Sequence, residues 1–166
     1  SMIKNDFISA VGEFQEFLDN NPKHIKRIKA QKMLEFCKKQ KPYQEFENGV
    51  NAFNDFDLDQ AARWYESALT TSDENLSFEI VTKQKELAMV FLDSALLNLN
   101  DIGFNNAEKL IRKAKAITPK IENTANTYLS DLYMIKGDIF NEVKNYEVAL
   151  KNYKKSFSYN EDIRAL

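Results

Sequence analysis

The sequence contains few of the residues that make tight turns. Only four glycines and three prolines occur among its 166 residues. A β-sandwich or barrel needs many tight turns, which favour Gly, Pro, Asn-Gly or Asp-Gly. This scarcity argues against an all-β architecture and favours long helices joined by short connections.

Cysteine and histidine are almost absent, with Cys37 and His24 as the single examples. One cysteine cannot form an internal disulfide, and the two residues together cannot supply the three or four ligands of a zinc site. A chain without disulfides suits a reducing compartment. We therefore expect a cytoplasmic protein with no metal site and no cofactor.

Long apolar runs are also missing. No segment approaches the roughly 20 apolar residues that span a bilayer, and the start of the chain lacks the basic-then-apolar pattern of a signal peptide. The net charge of −2 and the hydrophobic fraction of 43% are those of an ordinary folded domain. No membrane partner is expected.

Candidate catalytic and metal-binding groups are few. His24 and Cys37 are 13 residues apart, too far along one helix to form a nucleophile pair. Asp55, Asp57 and Asp59 alternate as in a calcium loop, but the glycine and closing glutamate of such a loop are missing. A solvated turn is the preferred interpretation of these aspartates. We expect no catalytic residues and no enzyme.

One segment is rich in cations that could attract nucleic acid. It carries Lys23, Lys26, Arg27, Lys29, Lys32, Lys38, Lys39 and Lys41. A helix over this segment would spread the charges around its surface instead of forming one stripe, and the remainder of the chain is net acidic. We interpret it as a solvated face and do not expect nucleic acid as a partner.

Three segments of the chain share a pattern in which a small residue is followed four positions later by a large one, and three later by a second small one. The triplets are Ala61, Tyr65 and Ala68, then Ala107, Ile111 and Ala114, then Ala149, Tyr153 and Ser156. Spacings of four and three place each triplet on one face of a helix. Small residues let a second helix approach closely, so each helix is expected to have a packing partner.

This pattern resembles the tetratricopeptide repeat (TPR), a helix-turn-helix unit of about 34 residues. Gly49 and Gly137 match the small position of its first helix, and Pro119 matches the proline that follows a repeat. The resemblance implies an all-α, right-handed helical solenoid of about three repeats, at about 42–75, 88–121 and 130–163. Residues 42–166 would form the array.

The spacing of the triplets departs from a regular array. Ala61 and Ala107 are 46 residues apart and Ala107 and Ala149 are 42 apart, so the first helices of the second and third repeats are expected to be long.

Residues 1–41 are expected to form an N-terminal helix pair that acts as a cap or a degenerate repeat. Its second helix is expected to start at Asn21–Pro22. The chain ends just after the third repeat, so we expect a fragment, or an open end that pairs with a partner or another copy as a homo-oligomer.

The first helices of TPR units line a concave groove, and the resemblance implies which residues face it. These candidates for a peptide-binding groove are Tyr43, Phe46, Val50, Phe53, Met89, Leu92, Leu96, Leu99, Met134 and Asp138. An apolar groove suits an amphipathic helix. The alternative interpretation is that these apolar side chains are core between long helices.

We therefore expect a protein–protein interaction module, an adaptor or a chaperone-like protein, that binds a peptide or helix of a partner. The alternative is the peptide-sensing or signalling repeat region of a larger bacterial regulator.

Overall fold

The computed structural model describes residues 6–164, without the side chains of Asp101 and of residues 161–164. These residues form seven α-helices and one short 3₁₀ helix, with no strand among them, and the predicted all-α fold is confirmed. The elements are α1 (Phe7–Asn20), α2 (Arg27–Asn54), α3 (Leu58–Leu69), α4 (Glu74–Leu97), α5 (Leu99–Ile117), the 3₁₀ helix Pro119–Ile121, α6 (Glu122–Glu142) and α7 (Tyr146–Arg164).

The chain divides into two compact units, Ser1–Lys83 and Gln84–Leu166. Helix α4 begins in the first unit and ends in the second. Among the described residues, none of the helices combines the length and apolar character needed to cross a membrane.

Helix α2 joins two segments that the sequence analysis had separated. It continues from Arg27 to Asn54 through Pro42, which is buried inside it. The helix also begins at Arg27 and not at Asn21–Pro22, which lie in the preceding turn. Residues 27–41 and the first helix of the predicted repeat 42–75 are therefore one continuous helix of 28 residues.

In the first unit, α1 packs against the N-terminal half of α2. The core of this pair is Leu18, Ala30 and Leu34, with Phe14 and Phe17 packed against it. At the other end of α1, the Gln44 side chain on α2 accepts hydrogen bonds from the backbone N–H groups of residues 7 and 8, at 2.7 and 3.1 Å. These bonds satisfy two of the N–H groups that a helix start leaves without partners.

The hairpin of α2 and α3 is held together by a close approach of Gly49 to Tyr65. A Cβ atom placed on Gly49 would lie 2.6 Å from ring carbons of Tyr65, well inside ordinary van der Waals contact. Tyr65 is completely buried, as are Ala61 and Ala68 on the same face of α3. The triplet identified in the sequence is therefore the packing face of α3.

The hairpin of α6 and α7 repeats this contact 88 residues later in the chain. A Cβ atom on Gly137 would lie 2.5 Å from Cδ1 of Tyr153. Ala149 and Ser156, the small residues that flank Tyr153 in the triplet, are buried. Each hairpin thus places a tyrosine ring against the bare backbone of a glycine.

The turns of the two hairpins also share one conformation. Phe56 and Lys144 occupy equivalent positions and both have φ of 60°. The next residue in each turn donates its N–H back into the first helix, Asp57 to the Ala52 carbonyl and Asn145 to the Phe140 carbonyl, both at 2.9 Å. The two hairpins are the same structural motif at the level of individual backbone hydrogen bonds.

The start of α5 differs in conformation from the turns of the two hairpins. Gly103 lies inside α5 with φ of 73° and ψ of 162°, a conformation that residues with a Cβ rarely adopt. It separates residues 99–102 from the regular helix that follows. The triplet Ala107, Ile111 and Ala114 is nevertheless fully buried, as the sequence pattern predicts for a packing face.

The glycine–tyrosine contact predicts an unusual response to Gly137→Ala. In an exposed helix this change gains about 1 kcal/mol of helix propensity. At Gly137 the added methyl group must displace the Tyr153 ring, and overpacking of this kind costs about 1–3 kcal/mol. We expect the clash to outweigh the gain in helix propensity, so that the free energy of unfolding in urea falls by up to about 2 kcal/mol.

Gly12 supplies a matched control for that substitution. It lies in α1 and is exposed, and a Cβ atom added to it would meet no neighbouring group within 4 Å. Gly12→Ala is expected to raise the free energy of unfolding by about 0.5–1 kcal/mol. Similar effects of the two substitutions would contradict the packing argument.

Candidate functional site

The predicted groove residues are divided between the two units. Tyr43, Phe46, Val50 and Phe53 lie on α2 in the first unit, and the other six lie in the second. Phe46 is partly buried, with its ring centroid 5.9 Å from that of Tyr65. Phe46 therefore contributes to the packing of its own hairpin.

Tyr43 is the most exposed of the four groove candidates on α2. Its hydroxyl donates to Asp73 Oδ2 at 2.5 Å, and this hydrogen bond raises the pKa of Tyr43. Beside it, a cleft of about 380 Å³ is lined by Phe7, Gln40, Tyr43, Gln44, Glu47, Asn48 and Asn51. Most of these side chains are polar, and Phe46, Val50 and Phe53 are not among them.

The groove candidates of the second unit differ in exposure. Leu92 on α4 has no exposed surface, so in this conformation it belongs to the core and cannot contact a partner. Met89, Leu96 and Leu99 are partly buried. Met134 and Asp138 on α6 are exposed, and they are the predicted residues that line an apolar cleft.

That cleft lies between α6 and α7 and has a volume of about 580 Å³. Its lining residues are Met134, Asp138, Tyr153, Lys154, Ser156, Phe157 and Asn160. Met134 and Phe157 expose 45% and 56% of their surface. Large apolar side chains with this exposure that adjoin one another are typical of a surface that another molecule covers.

Helix α7 extends the apolar surface beyond the cleft. Tyr146 and Leu150 are also exposed, and the series 146, 150, 153 and 157 has the spacing of one helical side. Together with the cleft residues, these side chains are called the α6–α7 face. The sequence pattern predicted Tyr153 and Ser156 only as packing residues and gave no indication of the other α7 members of this face.

Hydrogen bonds link the two helices that form the α6–α7 face. Ser130 and Ser156 are buried with their hydroxyl oxygens 2.9 Å apart, and Asn160 donates to Ser130 Oγ at 2.8 Å. On the exposed side, the Tyr153 hydroxyl donates to Asp138 Oδ1 at 2.8 Å, which raises the pKa of Tyr153. These bonds hold the two sides of the cleft in a fixed arrangement.

A charged cluster links α5, α6 and α7 within the second unit. Glu108 receives hydrogen bonds from the Tyr133 hydroxyl at 2.5 Å and from Arg112, whose Nη2 lies 2.7 Å from Oε1. Lys155 donates to the Tyr133 hydroxyl and lies over its ring, 4.1 Å from the centroid. The rings of Tyr133 and Tyr159 are stacked, with centroids 6.0 Å apart.

Glu108 is the anion at the centre of this cluster. Partial burial by itself raises its pKa, but the hydrogen bonds from Tyr133 and Arg112 and the charge of Lys155 together lower that pKa below the ordinary value. The carboxylate is therefore stabilised by folding. The arrangement connects three helices.

The other candidate groups take part in packing or helix capping. Cys37 is buried, and the ring of His24 packs against that of Phe17 with centroids 5.3 Å apart. Asp57, from the alternating aspartates, accepts a hydrogen bond from the Gln60 N–H and caps α3. Over the part of the chain that the structure describes, no three His, Cys, Asp or Glu side chains are placed to hold a metal ion.

The sequence matches no protein-family model, no curated protein and no solved structure.

Glu108 generates a prediction about pH. Its folded pKa lies below its unfolded pKa of about 4.3, so its contribution to stability is present above that value and is lost as the pH falls through the folded pKa. We expect the wild type to have a larger free energy of unfolding than Glu108→Gln at about pH 7. This difference should shrink towards about pH 3. Urea unfolding at several pH values measures the gap.

Glu142→Gln is the control, since Glu142 is an exposed residue at the end of α6. The free energy of unfolding of Glu142→Gln should stay close to that of the wild type at every pH measured. A Glu108→Gln gap that stays constant across the same pH range would show that the cluster does not stabilise the ionised carboxylate.

Proposed function

We propose that the chain is a TPR-type helical repeat protein that binds a helical segment of a protein partner on the α6–α7 face. The observation that carries the proposal is the exposed apolar cleft between Met134 on α6 and Phe157 on α7. Amphipathic helices bind in such clefts through apolar side chains at helical spacing.

The TPR part of the proposal is supported by the two equivalent hairpins. Gly49 with Tyr65 and Gly137 with Tyr153 make the same close contact, and their turns have the same left-handed residue. Both contacts fall at the small and aromatic positions that define the resemblance. The proposal includes a right-handed array of the helix pairs. It also includes the predicted repeats at about 42–75 and 130–163, which contain the two hairpins.

The function class is supported by what the face contains. Its centre is apolar, while Asp138 and Lys154 provide one charge of each sign on its two sides. An apolar centre with a polar rim is the usual composition of a protein interface. A reducing, cytoplasmic setting is part of the proposal, because the single cysteine, Cys37, is buried and without a disulfide. We propose a binding role and no catalytic one.

Charge insertion into the face tests the proposal. Met134→Glu and Phe157→Glu each place a carboxylate in the apolar centre, and we expect them to abolish capture of the partner from a lysate of the source organism. Ile139→Glu is the matched control, because Ile139 lies on another side of α6 and exposes 45% of its surface, the same fraction as Met134. Circular dichroism checks that all three variants keep their helices.

A partner that the wild type and Ile139→Glu retain, and that both face variants lose, would support the proposal. Direct titration of that purified partner must then reproduce the difference. Equal capture by all four proteins would rule out the α6–α7 face as the binding surface.

A second copy of the chain is the other occupant to consider, since the same apolar face could pair with itself. Sedimentation velocity over a range of concentrations separates the two cases. Wild type that dimerises while Phe157→Glu stays monomeric would assign the face to self-association and not to a different protein.

A further inference from the structure

The turn between α1 and α2 and the start of α2 carry the two isoleucines with the greatest exposure in the described chain. Ile25 exposes 93% of its surface and Ile28 exposes 73%. Every residue from 22 to 26 is exposed, so the turn projects from the end of its helix pair. Residues 21–32 are called the α1–α2 tip.

Cations surround these isoleucines. Residues 20–34 include five lysine or arginine residues and no aspartate or glutamate. The members are Lys23, Lys26, Arg27, Lys29 and Lys32. The nearest acidic residues along the chain are Glu16 and Asp19 on the preceding helix and Glu35 on α2, so the tip keeps an excess of positive charge.

Specific contacts hold the turn in this conformation. His24 Nδ1 accepts a hydrogen bond from the Lys26 N–H at 3.1 Å, and its ring rests edge-on against Phe17. The Arg27 guanidinium donates to the Leu18 carbonyl at 2.7 Å, which ties the start of α2 to the end of α1. Ile25 is therefore presented to solvent by an organised turn.

A largely apolar cleft adjoins the tip. The cleft has a volume of about 600 Å³ and is lined by Glu13, Phe14, Phe17, Lys26, Lys29, Ala30 and Met33. Lys26 and Lys29 belong both to this cleft and to the tip. Apolar side chains and lysines thus occupy one continuous area of the first unit.

We propose that the α1–α2 tip binds the surface of an anionic lipid bilayer, with Ile25 and Ile28 inserted among the acyl chains and the lysines on the headgroups. Exposed apolar side chains gain free energy on entering the bilayer interface, and lysines gain from the negative surface potential. This peripheral contact differs from a membrane-spanning segment, whose lack led the sequence analysis to expect no membrane partner.

The chemistry of the tip favours lipid over nucleic acid. Isoleucine can neither stack on a base nor form a hydrogen bond with one, whereas proteins that bind single strands use aromatic side chains for stacking. Arg27, the one arginine of the tip, already donates a hydrogen bond to the Leu18 carbonyl.

Vesicle co-sedimentation tests the proposal. The probes are vesicles of phosphatidylcholine alone and vesicles that contain about 30 mol% phosphatidylserine. The wild type should sediment with the anionic vesicles and not with the neutral ones, and high salt should weaken binding by screening the lysines.

Two pairs of variants locate the contact. Lys23→Gln with Lys26→Gln should weaken partitioning by about tenfold to thirtyfold. Lys38→Gln with Lys39→Gln, exposed further along α2, should change it by less than about twofold. The rise of an α-helix places these lysines about 15 Å or more beyond Ile28, which exceeds a Debye length of about 8–10 Å. Ile25→Asn with Ile28→Asn should also weaken partitioning by about tenfold. Phe78→Asn controls for the loss of an exposed apolar side chain, since Phe78 exposes 75% of its surface elsewhere in the first unit.

The proposal is overturned by equal binding to neutral and anionic vesicles, by no binding to either, or by equal losses in the tip and control variants. Binding to a DNA duplex of about 20 base pairs without vesicle binding would assign the tip to nucleic acid instead. None of these outcomes affects the α6–α7 face, because the substitutions lie in the other unit.

Discussion

The structure depends on the close approach of paired helices at a glycine. At Gly49 and again at Gly137 the missing Cβ leaves room for a tyrosine ring, so each second helix packs on the backbone of the first. The small residues on both sides of each tyrosine, such as Ala61 and Ala149, keep the helices close over a full turn or more. Shape complementarity of this kind, more than hydrophobicity alone, selects one arrangement of two helices over its competitors.

This packing explains why an apolar face remains uncovered. A helix that turns its small residues towards its hairpin partner still carries large apolar residues on the adjacent side. On α7 these residues are Leu150 and Phe157, which are exposed beside the buried Ser156. A hairpin of two helices therefore cannot bury both sides of its second helix, and on α7 the remaining side stays exposed.

Much of the hairpin structure could be predicted from the sequence, because small and large residues at spacings of three and four report directly on helix faces. The all-α fold and the packing faces of the triplets follow from that spacing, and Tyr153 is the one triplet residue that is only partly buried. The continuity of α2 through Pro42 could not be predicted, because proline is disfavoured in a helix interior and usually marks a helix boundary. The burial of Leu92 and the exposure of Phe157 depend on which neighbour covers each face, and spacing along one helix carries no information about that neighbour.

A double-mutant cycle on Gly137 and Tyr153 tests the central contact most directly. Gly137→Ala is introduced into the wild type and into Tyr153→Ala, and the free energy of unfolding is measured for all four proteins. If the tyrosine ring fills the space above Gly137, the alanine should destabilise the wild type but should be neutral or stabilising by about 1 kcal/mol once the ring is removed. An equal cost of Gly137→Ala in both backgrounds would contradict the account.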